Sequence, residues 1–324
     1  MMKTLSAFTP AQRDKVHRLL AAKVARMMGR KLEEADWADV YCRAKDIPTR
    51  GWSNLNIDVM HQGLGVEHKM LCYRSNANIA QACGETRMHP AATRAIRVPT
   101  GKISAERAMR EILRQYAELI EQRTQKVSEQ APAGTRPDMR TGWLLWQESL
   151  RQFLYFEEPM RAPEAEQYTA EWVESGGGSR KRSRNLWIYE KVTGKKRFSV
   201  TTSAGAKIQP YFDVPPPNDP NLYIFTVIGE VIMDDRVRCW LTRTTWHDLE
   251  EVLGTVTPQA VSLAVNQLLA DLPAAQTGPV LVEEPAEPLE ISAETYALLT
   301  SRLPGVNDDH CFQLLIRLLR QKRP

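Results

Sequence analysis

A chain of 324 residues can bury a large core, as one big domain or two smaller ones. Its 43% apolar and 25% charged residues predict an ordinary globular protein, and no apolar run approaches the ~20 residues of a bilayer span. Net charge is a mild +4, and five scattered cysteines without a CxxC pair argue against a disulfide framework or a zinc ribbon.

Thr9-Pro10 reads as a cap followed by proline at the first helical position, and Val16, Leu19, Leu20, Val24 and Met27 recur at helical spacing. A second helix is expected over 32–44, carrying Glu33, Glu34, Asp36 and Asp39. After Gly51 the period changes. Leu55, Ile57 and Val59 alternate with Asn56, Asp58 and Met60 as in a strand, Gly63 and Gly65 mark a turn, and 66–73 reads as the partner strand. A polar loop is expected over 75–99, then a helix over 104–127 capped by Ser104, then another helix over 143–156.

Gly176-Gly177-Gly178 predicts a break. Beyond it, 186–190 and 197–201 read as a hairpin turning at Thr193-Gly194, with two further strands over 222–233 and 237–241 that turn at Asp234-Asp235. Helices are expected over 245–253 and 258–269. A Pro/Glu-rich linker follows over 273–290, and a helical hairpin over 291–303 and 309–320. No internal repeat is visible. Strands in the middle flanked by helices predict an α/β or α+β class.

Charge is unevenly distributed. Nine basic residues lie between Arg180 and Lys207 (Arg180, Lys181, Arg182, Arg184, Lys191, Lys195, Lys196, Arg197, Lys207), opposed only by Glu190. A local positive field on a near-neutral chain suits a polyanion. Alternation sets Trp187 and Tyr189 on one face of the hairpin, either as core or among the arginines. The stretch 199–207 offers hydroxyls, Gly205 and Lys207 for a phosphate, or is simply a polar loop. Ser75, Asn76 and Asn78 are further candidates to reach a nucleic acid. Cys72, Cys83 and His89 lack the spacing and the fourth ligand of a zinc site. No GxSxG, Walker A or full GxGxxG motif is present, which disfavours hydrolase, P-loop and dinucleotide readings.

The stretch Asn56-Ile57-Asp58, followed by Gly65-Val66-Glu67-His68-Lys69-Met70, carries the chemistry. On a strand Glu67 and Lys69 share a face and His68 points away. If Ile57-Asp58-Val59 pairs antiparallel, Asp58 sits beside Glu67, with Val66, His68 and Met70 turned toward a helix layer. Two carboxylates and an ammonium on one surface suit magnesium and a phosphodiester. The bland alternative is a hairpin whose exposed face is merely charged.

The pattern resembles the PD-(D/E)XK nuclease superfamily, which includes most type II restriction endonucleases. Ile57-Asp58 stands at the Pro-Asp position, with isoleucine for the nominal proline, and Glu67-His68-Lys69 at the acid-x-lysine element. The match covers only about residues 53–73. It implies that Asp58, Glu67 and the His68 backbone carbonyl bind Mg2+, that Lys69 assists the nucleophile, and that Glu33 or Glu34 adds an acid from an upstream helix.

The expected organisation is a restriction-endonuclease-like core over 1–175 with its catalytic hairpin at 53–73. A basic, partly β recognition region follows over 176–272, packed on the same sheet, then the linker 273–290 and a helical appendix over 291–324. The expected function is Mg2+-dependent cleavage of double-stranded DNA at a specific sequence, by a homodimer in the cytoplasm. DNA contacts are expected from Arg180, Lys181, Arg182, Arg184, Lys195, Lys196, Arg197, Lys207, Ser75, Asn76 and Asn78. The alternatives are a repair, mobile-element or phage-defence nuclease of that superfamily, or a non-catalytic DNA-binding protein.

Overall fold

The structure, a computed structural model, describes residues 4–27, 30–48, 57–75, 77–90, 96–99, 103–175, 183–201, 207–269 and 285–322. Arg180, Lys181, Arg182, Asn76 and the loop 202–206 lie outside them, as do Leu55, Asn56 and the glycine run 176–178. Helix α1 (Pro10–Ala25) starts where expected, with a Thr9–Gln12 capping box, and α2 (Glu34–Ala44) follows. Strands β1 (Val59–His61) and β2 (Leu64–Tyr73) form the anticipated hairpin, with Val59 opposite Val66. Its two-residue loop needs left-handed backbone at both positions: Gln62 has φ of 47° and Gly63 of 86°.

The expected loop after β2 contains the short strand β3 (Thr86–Met88), and α3 (Ala105–Ser128) follows with Ser104 accepting from the Arg107 amide. The helix expected over 143–156 is not there. Strands β4 (Asp138–Gln147) and β5 (Gln152–Pro159) occupy that sequence as an antiparallel pair. Strands β6 (Tyr168–Ser175), β7 (Ser183–Glu190), β8 (Lys196–Thr201) and β9 (Lys207–Asp213) form a meander. The single strand expected over 222–233 is two, β10 (Tyr223–Thr226) and β11 (Glu230–Met233), in different sheets. They part at Gly229, whose φ of 53° suits glycine. Then come β12 (Arg236–Leu241), α4 (Arg243–Leu253), α5 (Pro258–Leu269), β13 (Glu287–Ser292), α6 (Ala293–Arg302) and α7 (Asp308–Lys322).

The class is mixed α/β, with three sheets among the described residues. The first sheet has the order β1-β2-β4-β5-β10, with only β2 and β4 parallel; α3 lies in their connection. Helices α1 and α2 cover one face, where Val16, Leu20, Trp37 and Tyr41 pack with Val66, Leu144 and Tyr155. On the other face α3 reaches the sheet through Val127 against Met139 and Ile57. Further along, α3 lays Met109, Ile112 and Leu113 on Leu186, Ile188 and Val200 of the second sheet, ordered β3-β9-β8-β7-β6.

The basic hairpin is therefore part of a five-stranded sheet of its own, rather than an extension of the first. Its core face holds Leu186 and Ile188, whereas Trp187 and Tyr189 lie half-buried on the opposite face. The third sheet, β11-β12-β13, carries α4 to α7. Residues 287–290, expected in the linker, pair with β12, so the end of the chain is a sheet with helices and not helices alone. This unit is fastened to α1: the Asn307 amide donates to the Val24 and Ala25 carbonyls, and Arg18 pairs with Glu287. No helix among the described residues is long and apolar enough to cross a membrane.

Candidate active site

Alternation along β2 sets Val66, His68 and Met70 toward α1 and α2, and Glu67, Lys69 and Leu71 on the opposite face, where Glu67 meets α3 and Leu71 packs in the cluster of Ile79 and Phe212. His68 is sealed between Trp37, Tyr41 and Tyr155, with ring centroids 6.2, 5.0 and 6.0 Å away. Burial, aided by the charge of Lys69, pushes its imidazole down to about 3, so the ring is neutral and packed. Only its backbone faces the candidate site.

Asp58 precedes β1, and the register that sets Val59 opposite Val66 brings it level with Glu67. Its carboxylate takes the place of a ladder partner, accepting from the His68 amide at 2.6 Å, while the Asp58 amide donates to Val66 O at 3.1 Å. Asp58 is exposed as a residue, yet the surrounding protein crowds its carboxyl. That crowding pushes it up to about 6; Glu67 and Glu34 push the same way, against the His68 amide and Lys69. Glu34, one of the two expected upstream acids, is exposed at the start of α2. Glu33 is exposed and turned toward Arg30.

Glu67 is 5% exposed, and each of its oxygens meets a cation. Lys69 Nζ pairs with Oε1, and Arg123 Nη1, from α3, pairs with Oε2. Arg123 is itself 2% exposed, while the Lys69 side chain keeps about a quarter of its surface in solvent. Two neighbours on the same face complete the surroundings. Glu67 stands opposite Thr141 and Thr141 opposite Glu158, whose carboxyl accepts from Trp143 Nε1 at 2.9 Å. Burial pushes Glu158 up to about 7, with Asp213 adding to the rise and the Trp143 bond and Arg197 opposing it. A groove of about 610 Å³ opens beside β2 beyond Lys69, lined by Leu71, Cys72 and the segment from Glu85 to Met88.

No family model, no curated protein and no solved structure matches this chain. The site rests on its own residues. Asp58, Glu67 and Lys69 come together as the spacing suggests. Among the described residues, however, no group of three or more His, Cys, Asp or Glu side chains converges as a metal site would require on side chains alone. Cys72, Cys83 and His89 form none; His89 is buried and bonds Met70 O at 2.8 Å.

The expected DNA contacts separate into two groups. Lys195 and Arg197 are paired to acids of the second sheet: Asp213 pairs with both, the exposed Lys195 just before β8 and the mostly buried Arg197 within it, and Glu190 pairs with Arg197. Lys196 has no acid partner among the described residues and sits over the Trp187 and Tyr211 rings, at 3.4 and 5.1 Å from their centroids. Arg184 lies over Trp172, and Lys207 is half-buried at the start of β9. Ser75 and Asn78 use their side-chain oxygens locally, accepting from the Ala77 and Ala80 amides. The sequence reading missed Arg123 and Glu158. Both come from elements distant in sequence, and nothing local marks an arginine as the one that reaches a strand 56 positions away.

Proposed function

We propose that this protein is a Mg2+-dependent endonuclease acting on double-stranded DNA, with Asp58, Glu67 and Lys69 as its active site. The observation that carries the reading is the hairpin register that brings Asp58, just before β1, level with Glu67 on β2, with Lys69 on the Glu67 face. The mixed sheet with helices on both faces supports a restriction-endonuclease-like core. Site-specific cutting by a two-fold dimer, one active site per strand, belongs to the same proposal.

The residues fit a hard divalent cation in kind. The hairpin register brings Asp58 level with Glu67, so two acids share one end of the strand pair with the His68 backbone between them. Asp58, Glu67 and the His68 carbonyl would hold the ion, which when bound supplies charge neutralisation and an acidified water. Lys69, with about a quarter of its side chain in solvent and its ammonium beside Glu67, stands where it can neutralise charge developing on a phosphate. The His68 amide keeps Asp58 oriented through a backbone donor that side-chain substitution does not remove. Lys196 offers a fixed cation to the DNA backbone at a distance from this centre.

One observation favours a second reading, a non-catalytic DNA-binding protein: both Glu67 oxygens are already ion-paired. Incubating supercoiled plasmid with the full chain, in magnesium and in a chelator, separates the two. The nuclease nicks or linearises the plasmid in magnesium alone. A pure binder retards DNA in a gel and leaves it intact under both conditions.

A further inference from the structure

Glu67 and Arg123 form a deeply buried ion pair on this face of the first sheet, at 5% and 2% exposure. A carboxylate taken from water at that depth needs a counter-charge held in good geometry. Glu67 has two, of different kinds. Lys69 lies two residues away on the same strand, on a flexible stem that reaches solvent. Arg123 comes from near the C-terminal end of α3, where Ile120 and Val127 are buried on either side of it along the helix. Its guanidinium is positioned by the helix, and the helix is positioned by the second sheet, through Met109, Ile112 and Leu113.

We infer that Arg123 is a positioning residue that occupies the Oε2 side of Glu67 in place of a divalent cation and must release that oxygen before the cation can bind. The inference rests on the nuclease reading of Asp58 and Glu67. One carboxylate oxygen cannot accept a guanidinium hydrogen bond and coordinate a cation along the same direction. The attraction of Glu67 for a dication is also weakened by the cations already beside it. Binding at Glu67 therefore requires Arg123 to swing aside or α3 to shift. Because the same helix carries the basic second sheet, DNA seated on that sheet can bias the exchange. Metal binding and DNA binding would then favour one another, with the apo protein held as a self-neutralised, folded pair.

The test uses Mn2+ as the probe, without DNA and without an activity assay. Its binding to the full-length protein is followed by titration calorimetry and by the rise in Tm that the ion produces. Arg123→Met should bind Mn2+ about tenfold more tightly than wild type and show the larger rise in Tm, with Arg123→Lys between the two. Glu67→Gln/Arg123→Met, which removes both charges and so keeps the fold, should lose the Mn2+ response. Equal or weaker binding by Arg123→Met, when wild type binds Mn2+ through Glu67, overturns the inference and leaves the nuclease reading standing. Absence of any Mn2+ response sensitive to Glu67 in every variant overturns both. If Arg123→Met does not fold, Arg123→Lys decides: affinity no higher than wild type counts against the inference.

Discussion

Two buried acids in this molecule are held in opposite ways. Asp308, at the start of α7, accepts from the Gly229 amide at 2.9 Å, the Trp240 amide at 3.4 Å and the Tyr296 hydroxyl at 3.0 Å. All three donors are neutral, and two belong to the backbone. Glu67 is held by two charged side chains, one of which reaches solvent. A carboxylate bound to backbone amides ties β11, β12 and α7 together and can hardly be released without losing the fold. A carboxylate bound to side-chain cations can exchange partners. The first arrangement is that of a clasp, and the second that of a site.

The comparison breaks most visibly in stability. Asp308→Ala strips acceptors from two buried amides and should cost about 3 kcal/mol, read as a fall in denaturation midpoint, and no second substitution can remove the stranded amides. Glu67 should behave differently. Glu67→Gln alone leaves Arg123 short of a charge, but Glu67→Gln/Arg123→Met should lie within about 1 kcal/mol of wild type, because both desolvation penalties disappear together. If the double variant is as unstable as Asp308→Ala, the two acids are the same kind of feature and the site reading loses its physical basis.

A smaller effect appears in the pH dependence. Burial raises the Asp308 carboxyl to about 6, against the Gly229, Tyr296 and Trp240 hydrogen bonds that lower it. The folded state thus holds its proton more tightly than the unfolded state does. This preference stabilises the fold in acid, and the benefit is lost as pH rises through the interval from about 4 to about 6. Asp308→Asn has no such titration. Between pH 4 and 7.5 its stability relative to wild type should improve by roughly 2 kcal/mol, measured by urea denaturation at both pH values. A pH-independent difference would show that Asp308 ionises in the fold at no cost.

Much of this was legible in the sequence, and the failures have physical causes. Helix α3 announced itself through Ser104 and its apolar spacing, and β7 and β8 through Thr193-Gly194. The segment of β4 and β5 did not, because Trp143 to Trp146 and Phe153 to Phe156 are buried continuously and show no polar alternation. An uninterrupted apolar run fits a buried strand as well as a buried helix. The turn between them also lacks glycine or proline: Leu150 adopts the left-handed backbone, with φ of 57°. At the site, Asp58, Glu67 and Lys69 were readable because strand alternation is local. Arg123 was not, since its role depends on how α3 crosses the sheet. The basic stretch was readable as charge, but not as charge already balanced by Glu190 and Asp213.

That balance sharpens the expectation for DNA binding, the smallest effect considered. Three independent phosphate contacts would change the slope of log K against log salt by about 2.7. With Lys195 and Arg197 already paired to Asp213, replacing Lys195, Lys196 and Arg197 together should change it by about 0.9, the share of Lys196 alone. A change near 2.7 would mean that the acid pairs open when DNA binds.

The central claim is that the Asp58, Glu67 and Lys69 cluster cuts DNA, and single-turnover cleavage of plasmid in magnesium addresses it most directly. Wild type is compared with Asp58→Ala and Lys69→Ala at matched Tm and matched gel-shift affinity. The account predicts that both variants bind DNA like wild type and cut it at least about a hundredfold more slowly, since each loses a group that acts on charge in the transition state. Cleavage by either variant at the wild-type rate would contradict it.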